Sequence, residues 1–229
     1  MKKVCYTAIG GSYDIPKPFK KTEGWEYILF SNVEIPKELH NGWTVILDTK
    51  DKFDNTRFAR YHKHNPHKVL KDYDSNISIW VDANLTINVN LDELLDKIKF
   101  IDNKELDFIC LSHPHRNCIY AEAIECKKQK KDFDDIIDFQ ISEYKKEGFP
   151  ENFGMIQSGI LLRKHNQENI ISFQEQWWHE VFTKSKRDQL SFNYIQWKNQ
   201  KLLNLAMLDA QVMLFNPNFF PIQPHKNGW

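Results

Sequence analysis

Apolar and polar positions along the chain follow two repeating patterns. Short runs rich in Val, Ile and aromatic residues, each bounded by turn-forming residues, are typical of buried strands. Such runs occupy positions 4–9, 27–30, 43–47, 77–81, 108–111, 155–162 and, near the end, 212–214. Between them, apolar residues recur with the period of an amphipathic helix. The predicted helices cover about 55–64, 91–98, 133–144 and 170–181, and a further helix opens at 187.

This alternation of strands and helices predicts the fold class. It favours an α/β fold with a mostly parallel central sheet and helices on both faces. Asn90 is placed as the N-cap of the 91–98 helix, three residues before Glu93, close to a capping box. No stretch has the composition of a linker, so a single domain over 1–229 is expected.

Composition narrows the class of protein. Of the 229 residues, 41% are hydrophobic and 14% aromatic, which supports a substantial core rather than a disordered chain. The 31 Lys and Arg residues balance the 31 Asp and Glu residues, which argues against a nucleic-acid-binding protein. No apolar stretch has the length of a transmembrane segment, and the first residues are too polar for a signal peptide. We therefore expect a cytoplasmic protein, in solution or peripheral to a membrane.

The four cysteines are Cys5, Cys110, Cys118 and Cys126. Without a C-x-x-C pair, reduced and mostly buried thiols are the simpler interpretation for a cytosolic chain. A zinc site with the neighbouring histidines is the alternative.

The stretch 77–84 combines a buried strand with oxygen ligands. The apolar run ends at Asp82, and Asn84 follows two residues later. In open α/β sheets ligands bind beyond the carboxyl ends of the strands. A carboxylate and a carboxamide oxygen there can hold a divalent cation and the phosphates bound to it. The alternative is a plain turn, since Asp and Asn are common turn residues.

Two other segments carry groups suited to phosphates. Gly10 and Gly11 follow the first strand, where they permit a sharp turn or a close approach to a ligand. Arg57, Arg60 and Lys63 recur every third residue on the predicted 55–64 helix and therefore lie near one another. They form either a solvated basic surface or a clamp on phosphates.

Polar residues also follow the later strands. His113, His115 and Arg116 form a loop after the 108–111 strand and are candidates for ligand binding, although histidines are usually structural. Asp188 lies near the start of the last predicted helix, where the helix dipole favours an acid whatever its function.

Taken together and in order, several segments resemble one family. They are 6–14 (Tyr-Thr-Ala-Ile-Gly-Gly-Ser-Tyr-Asp), 66–68, 78–84, 113–123, 147–150, 177–178 and 185–192. The resemblance is to the glycosyltransferase-like domain of plant proteins linked to mucilage polysaccharide and turgor, and of their bacterial and viral relatives. That domain is similar in turn to GT-A glycosyltransferases, particularly the retaining family 8 enzymes.

The resemblance implies a GT-A-like, Rossmann-like fold that transfers a sugar from a nucleotide-sugar donor, a UDP-sugar being favoured, to a glycan or polysaccharide acceptor. It places the family's D-x-D metal motif on Asp82-Ala83-Asn84, with Mn²⁺ or Mg²⁺ as the cofactor. Asn84 departs from the acidic pattern, so weaker metal binding is expected. The ending 225–229 loosely resembles the family 8 ending and adds His225 as a third ligand.

The remaining roles are implied by the same resemblance. The nucleotide-sugar is assigned to Thr7, Ala8, Tyr13, Ser31, Asn32, Arg57, Arg60, Lys63, Asp82 and Ala83. The acceptor or donor sugar is assigned to His113, His115, Arg116, Gly159 and Gln189. Asp188 is the catalytic candidate, as a base in an inverting reaction or as a stabiliser of the cationic sugar in a retaining one.

Two other functions stay open. A phosphate-handling nucleotidyltransferase or hydrolase on a similar sheet would need more clustered carboxylates, to hold a second metal. A catalytically silent nucleotide- or sugar-binding module is the other, and the uncharged Asn84 favours it.

Overall fold

The computed structural model of the chain describes residues 2–49, 53–101, 104–200 and 203–225. Its strands are β1 (Lys2–Ile9), β2 (Trp25–Ser31), β3 (Thr44–Leu47), β4 (Ser75–Val81), β5 (Phe100–Ile101), β6 (Lys104–Glu105), β7 (Phe108–Ser112), β8 (Ile156–Arg163) and β9 (Leu205–Asp209). Strands β5 and β6 pair only with each other, while the other strands form one seven-stranded sheet in the order β3-β2-β1-β4-β8-β7-β9. Within that sheet β8 is antiparallel to β4 and β7, and the other neighbours are parallel.

The helices connect these strands. They are α1 (Asn55–His64), α2 (Pro66–Val69), α3 (Leu91–Ile98), α4 (Ile119–Lys128), α5 (Asp134–Lys146), α6 (Glu168–Thr183), α7 (Phe192–Lys198) and α8 (Ala210–Phe215). Short 3₁₀ turns lie at Lys37–Leu39 and Asp188–Leu190. Local capping explains two of the starts. The Asp54 carboxylate accepts from the first-turn amides of α1, and the Asn90 side chain accepts from Asp92 and Glu93 N–H as predicted.

Apolar side chains cover both faces of the sheet. One core packs α1, α4, α5, α6 and α7 against it, with Tyr6, Trp80 and Trp177 among its largest fully buried rings. The second core packs α3 and α8 against the opposite face through residues such as Leu91 and Met213. The predicted α/β fold with a mostly parallel, doubly covered sheet is confirmed. The single-domain assignment stays a prediction.

Two element predictions need correction. The last strand is β9, and the predicted strand at 212–214 is part of helix α8. Met213 and Leu214 are buried, while Val212 is exposed. Three apolar residues in a row resemble a strand, although here they belong to a helix. The segment at 187–192 begins with the 3₁₀ turn, and α7 starts only at Phe192. Helices α2 and α4 were not predicted.

The thiols and the helices bear on two further expectations. All four cysteines are free and buried, as expected. Within the described ranges, no three His, Cys, Asp or Glu side chains lie together so that they could hold a metal ion. The alternative of a zinc site at the cysteines and histidines therefore has no support in these ranges. In the same part of the chain, every helix is too short or too polar to span a bilayer.

Candidate functional site

The predicted site residues gather at one edge of the sheet. Asp82 directly follows β4, and the Gly10–Gly11 turn follows β1. Asn32 follows β2, and the loop that carries His113 follows β7. Because β8 is antiparallel, its first residues reach the same edge. The carboxyl ends of the parallel strands therefore define the candidate site, as expected for an open α/β sheet.

Asp82 forms the rim of the site. Its side chain is 28% exposed. Oδ1 accepts a hydrogen bond from Trp80 Nε1 at 2.7 Å and lies 3.4 Å from Lys63 Nζ. Trp80 is two residues earlier in the strand and points to the same face, which explains the contact. Oδ2 is directed toward Gly159, where a Cβ atom would lie 3.4 Å away.

Asp188 forms the floor of the site and is completely buried. Its Oδ2 lies 2.8 Å from Lys63 Nζ and accepts from Ser158 Oγ at 2.9 Å. Its Oδ1 lies 3.4 Å from Arg60 Nε and accepts from Gln189 N–H at 3.1 Å. The carboxylate is thus enclosed by donors, and the 3₁₀ turn holds it in place.

Burial and charge set the ionisation of this cluster. Burial would raise the pKa of Asp188, but the charges of Arg60 and Lys63 outweigh it and hold that pKa well below its usual value. Burial lowers the pKa of Lys63, and Asp188 and Asp82 oppose that effect. His64 lies against the Trp177 ring at 4.0 Å, and burial lowers its pKa well below the usual value. The site therefore contains ionised acids and cations around a neutral imidazole.

Of the predicted basic triplet on α1, two members reach the site. Arg60 Nη1 lies 4.0 Å from Asp82 Oδ1, and Lys63 joins both carboxylates. Arg57 instead pairs with Asp54 and donates to the carbonyls of Val181 and Lys184 at the end of α6. Arg57 thus joins the start of α1 to the end of α6.

The turn after β1 approaches helix α1 closely. A Cβ on Gly10 would lie 2.1 Å from the Asn55 carbonyl oxygen, so a larger residue does not fit there. Gly11 has φ +63°, and its N–H donates to Asn32 Oδ1 at 2.6 Å. Asn32 also donates to Asn55 at 3.2 Å. This network fixes the turn and orients the start of α1.

The other residues assigned to the nucleotide differ in accessibility. Thr7, Ala8 and Ser31 are buried, and Ser31 Oγ donates to the Val33 carbonyl at 2.7 Å. Ala83 is half-buried against the second core. Tyr13 is 59% exposed at the edge of the turn. Of these five, Tyr13 is the most exposed, whereas Thr7, Ala8 and Ser31 are buried at the ends of β1 and β2.

The end of the described chain returns to the same region. Gln223 N–H donates to the Asn84 carbonyl at 2.8 Å, beside an antiparallel bridge between Leu85 and Ile222. His225 Nδ1 lies 2.6 Å from Asp14 Oδ2, and its ring lies 4.9 Å from that of Tyr13. The resemblance over 226–229 falls outside the described residues.

The metal site implied by the resemblance can be compared with these contacts. Asp82 Oδ1 is held by Trp80, and Lys63 places a positive charge 3.4 Å from it. His225 Nδ1 is bonded to Asp14, so Nε2 is the ring nitrogen that it could offer to an ion. Asp82 Oδ2, the Asn84 carboxamide and His225 Nε2 are thus the atoms that would hold the predicted ion. Metal binding stays a prediction.

The loop after β7 forms its own hydrogen-bond cluster. His113 Nδ1 accepts from the N–H groups of His115 and Arg116, at 3.2 and 3.0 Å. The guanidinium of Arg116 pairs with the buried Glu122 carboxylate at 2.5 Å. Burial and the charge of Arg116 lower the pKa of His113. These bonds shape the loop, and His115 remains its most accessible candidate.

Gly159 and Gln189 have structural contacts as well. A Cβ on Gly159 would lie 2.9 Å from the Gln157 amide and 3.4 Å from Asp82 Oδ2. Gln189 Nε2 donates to the Ile156 carbonyl at 2.9 Å. Gly159 therefore borders the rim of the site, whereas Gln189 ties the 3₁₀ turn to the start of β8.

Several residues of the site escaped the sequence analysis. Trp80 could have been found, since a strand residue two before Asp82 shares its face. Ser158, His64 and Arg163 carry no such signal, because their partners are distant in sequence. A separate surface cleft of about 620 Å³ between α6 and α7, lined by residues such as His179 and Tyr194, contains none of the predicted site residues.

Comparison with known sequences gives a family. Residues 31–216 match the family model of the TOD1/MUCI70 glycosyltransferase-like domain. Over 186 residues the chain is 26% identical to the Arabidopsis thaliana protein named "Probable hexosyltransferase MUCI70". The match covers 77% of this chain and only 28% of that protein.

Comparison with solved structures returns glycosyltransferases of low similarity. The glycosyltransferase GlyE of Streptococcus pneumoniae superposes with a TM-score of 0.45 at 12% identity, covering 92% of this chain and 45% of that one. Mouse xyloside xylosyltransferase 1 superposes with a TM-score of 0.47 at 12% identity, covering 92% and 85%.

Proposed function

The chain belongs to the TOD1/MUCI70 glycosyltransferase-like domain family, and from this premise we propose that it transfers a sugar from a nucleotide-sugar donor to a hydroxyl group of a glycan acceptor. The observation that carries the proposal is the pair of cations, Arg60 and Lys63, held against Asp82 and Asp188 at the carboxyl edge of the sheet. Such an edge is where open α/β sheets bind their ligands.

The chemistry of transfer requires charge stabilisation at two places. As the bond between the anomeric carbon and the diphosphate breaks, negative charge develops on the phosphate oxygens. Arg60 and Lys63 are fixed beforehand by Asp188, so they can stabilise that charge without reorganising. A guanidinium also matches phosphate oxygens geometrically, which favours Arg60 as the direct contact.

Asp82 is proposed to bind the sugar part of the donor. Trp80 fixes Oδ1, which leaves Oδ2 to accept hydrogen bonds from sugar hydroxyl groups. The predicted cofactor, Mn²⁺ or Mg²⁺, would use Asp82 and Asn84. The proposed steps do not depend on it.

The base and ribose are proposed to lie over the turn after β1. Tyr13 offers an exposed ring there, and Asn32 holds the turn from the other side. A UDP-sugar donor follows from the family resemblance rather than from a contact, and so does a polysaccharide acceptor beside His115. The cytoplasmic or membrane-peripheral location stays a prediction too.

Asp188 is proposed to act through its neighbours. It is fully buried and already bonded to Lys63, Ser158 and Gln189. An enclosed carboxylate with a low pKa is a weak base, which argues against direct proton abstraction. Its proposed role is to position Lys63 and Arg60.

The test is a screen of UDP-, GDP- and dTDP-sugars for release of free nucleotide, with and without candidate glycan acceptors. The proposal expects turnover of at least one donor by the wild-type protein and its loss in Asp82→Ala. Binding of nucleotides without turnover of any donor would instead support a silent binding module. The enclosure of Asp188 is the observation that favours that second candidate.

A further inference from the structure

A charged side chain lies beneath the site without an acidic partner. Arg163 ends β8 and has no exposed surface. Its Nη1 donates to the Lys63 carbonyl at 2.7 Å and to Gln174 Oε1 at 2.8 Å, and its Nη2 donates to the Tyr6 hydroxyl. Among the described residues, these partners are all uncharged. Lys63 is thereby held at both ends, by Arg163 at its carbonyl and by Asp188 at its ammonium.

Arg163 is connected to the site by two aromatic rings in edge-to-face contact. Its guanidinium lies 5.7 Å from the centre of the Tyr6 ring, which meets the Trp80 ring edge-on at 5.2 Å. Trp80 in turn donates to Asp82 at the rim. The column is nearly dry, because Tyr6 and Trp80 are at most 1% exposed. A charge at its lower end is therefore weakly screened from the site.

The charges of this buried region do not balance. Arg60 and Lys63 share the carboxylates Asp82 and Asp188, and Arg187 also lies near Asp188 and Glu122. Arg163 has no carboxylate among its hydrogen-bond partners, so its positive charge is unbalanced there. Burying an arginine without a carboxylate costs free energy, so the binding of an anion nearby is favoured.

The neighbouring histidines do not add to the excess. Burial lowers the pKa of His64 well below its usual value. Burial and the charge of Arg163 lower the pKa of His165 to about 4. Both imidazoles are therefore neutral near pH 7.

We infer that Arg163 is a positioning residue of the donor site whose unbalanced charge, set beneath Lys63, is neutralised by the diphosphate of the bound donor. The inference rests on the proposed function only for the name of the ligand, since any diphosphate would serve. It assigns a role in anion recognition to a residue that the ligand does not touch.

The experiment adds a negative charge beside Arg163 and keeps the hydrogen bond between residue 174 and Arg163. Gln174 accepts from Arg163, so Gln174→Glu preserves the acceptor oxygen and gives Arg163 a counter-ion. This variant avoids Arg163→Met, which would leave the Lys63 carbonyl and Tyr6 hydroxyl without their donor and can fail to fold. The probes are inorganic pyrophosphate and UDP, titrated calorimetrically.

The expected result is a rise of about tenfold in the Kd of pyrophosphate for Gln174→Glu, because the added negative charge lies in a weakly screened region and repels the phosphates. The control, Gln176→Glu, adds the same charge two residues along α6, where Gln176 bonds Asn199. It should change Kd less than twofold. The unfolding midpoint of Gln174→Glu should equal or exceed the wild-type value, because a buried pair has formed.

Three results would overturn the inference: an unchanged Kd in Gln174→Glu, an equal loss in Gln176→Glu, or no pyrophosphate binding by the wild-type protein. Failure of the proposed function is separate. A protein that turns over no donor, yet binds pyrophosphate with this charge dependence, retains the inferred role of Arg163. If the protein transfers sugar but Gln174→Glu does not change the Kd of pyrophosphate, the inferred role of Arg163 is wrong.

Discussion

Lys63 Nζ lies 2.8 Å from Asp188 Oδ2 and 3.4 Å from Asp82 Oδ1, so one buried ammonium group joins the floor of the site to its rim. Each partner constrains the other two. Removing Lys63 or Asp188 leaves a buried charge without its nearest partner, and such losses are larger than the loss of an exposed ion pair.

Lys63→Met should therefore destabilise the fold strongly. We expect a loss of about 3–5 kcal/mol in the free energy of unfolding, because Asp188 keeps its charge without its main partner. The double variant Lys63→Met/Asp188→Asn should recover part of that loss. Urea unfolding of the two single variants and the double variant measures the coupling, and strict additivity would contradict the described pair.

Arg60→Met should affect the donor more than the fold. The Arg60 side chain is 15% exposed, and Asp188 retains Lys63 in its absence. We expect kcat/KM for the donor to fall by about 100-fold, the typical effect of removing one preorganised donor. Arg57→Met is the matched control on the same helix. Equal losses in both variants would show that the arginines act on the helix rather than on the donor.

Acidic pH should weaken the fold through buried histidine. His165 has a folded pKa of about 4, lowered by burial and by Arg163. The unfolded chain binds that proton first, so stability falls as pH drops from about 6.5 toward 4. At pH 5 the expected loss is roughly 2 kcal/mol. His165→Gln should flatten this part of the profile in urea titrations at pH 5 and 7.5, and an unchanged slope would argue against a neutral buried His165.

Gly10→Ala should disrupt the turn after β1. The added Cβ would lie 2.1 Å from the Asn55 carbonyl, so the turn or the first residue of α1 must move. We expect a loss above 2 kcal/mol in unfolding free energy, as for other overpacked sites, and weaker UDP binding. Gly24→Ala is the comparison, since its φ is +80° but nothing lies within 4 Å, so it reports strain without a clash. Unchanged or higher stability in Gly10→Ala would contradict the close approach, because a glycine without such a contact is normally stabilised by this replacement.

Removal of divalent metal should leave most nucleotide binding intact. The described residues supply cations of their own, and His225 is bonded to Asp14. We expect EDTA to raise the Kd of UDP less than about threefold, because two buried cations already counter the diphosphate. Calorimetric titration with EDTA, and then with excess Mn²⁺, decides the point. A large gain with Mn²⁺ that Asn84→Asp increases further would instead support the metal site at Asp82 and Asn84.

The sequence was most informative where structure is local. Helix α1 begins and ends where its spacing predicts, because Asp54 caps it and Pro66 limits its continuation. Asp82 could be predicted as a site residue because it directly follows an apolar run that is typical of a buried strand. The prediction of a strand at 212–214 was wrong because three apolar residues are too few to distinguish the period of a strand from that of a helix.

Contacts between distant segments could not be predicted in the same way. Periodicity places Arg57, Arg60 and Lys63 together, yet it does not show that the end of α6 captures the first of them. Ser31 has the chemistry to bind a ribose, but its hydroxyl is committed to Val33. From the sequence, Arg163 would be expected to lie exposed at the end of a strand. It is buried because α1 and α6 pack over it.

The reversed direction of β8 gives this strand an unusual evolutionary constraint. Ser158 and Arg163 stand five positions apart on one rigid segment, one beside Asp188 and the other beside Tyr6. In a regular strand residues five apart face opposite sides, so the irregular pairing of β8 with β7 is what brings both side chains to Lys63. Loss of this irregularity would separate Ser158 from Arg163 and remove a partner from one end of Lys63, so homologous sequences are expected to preserve it.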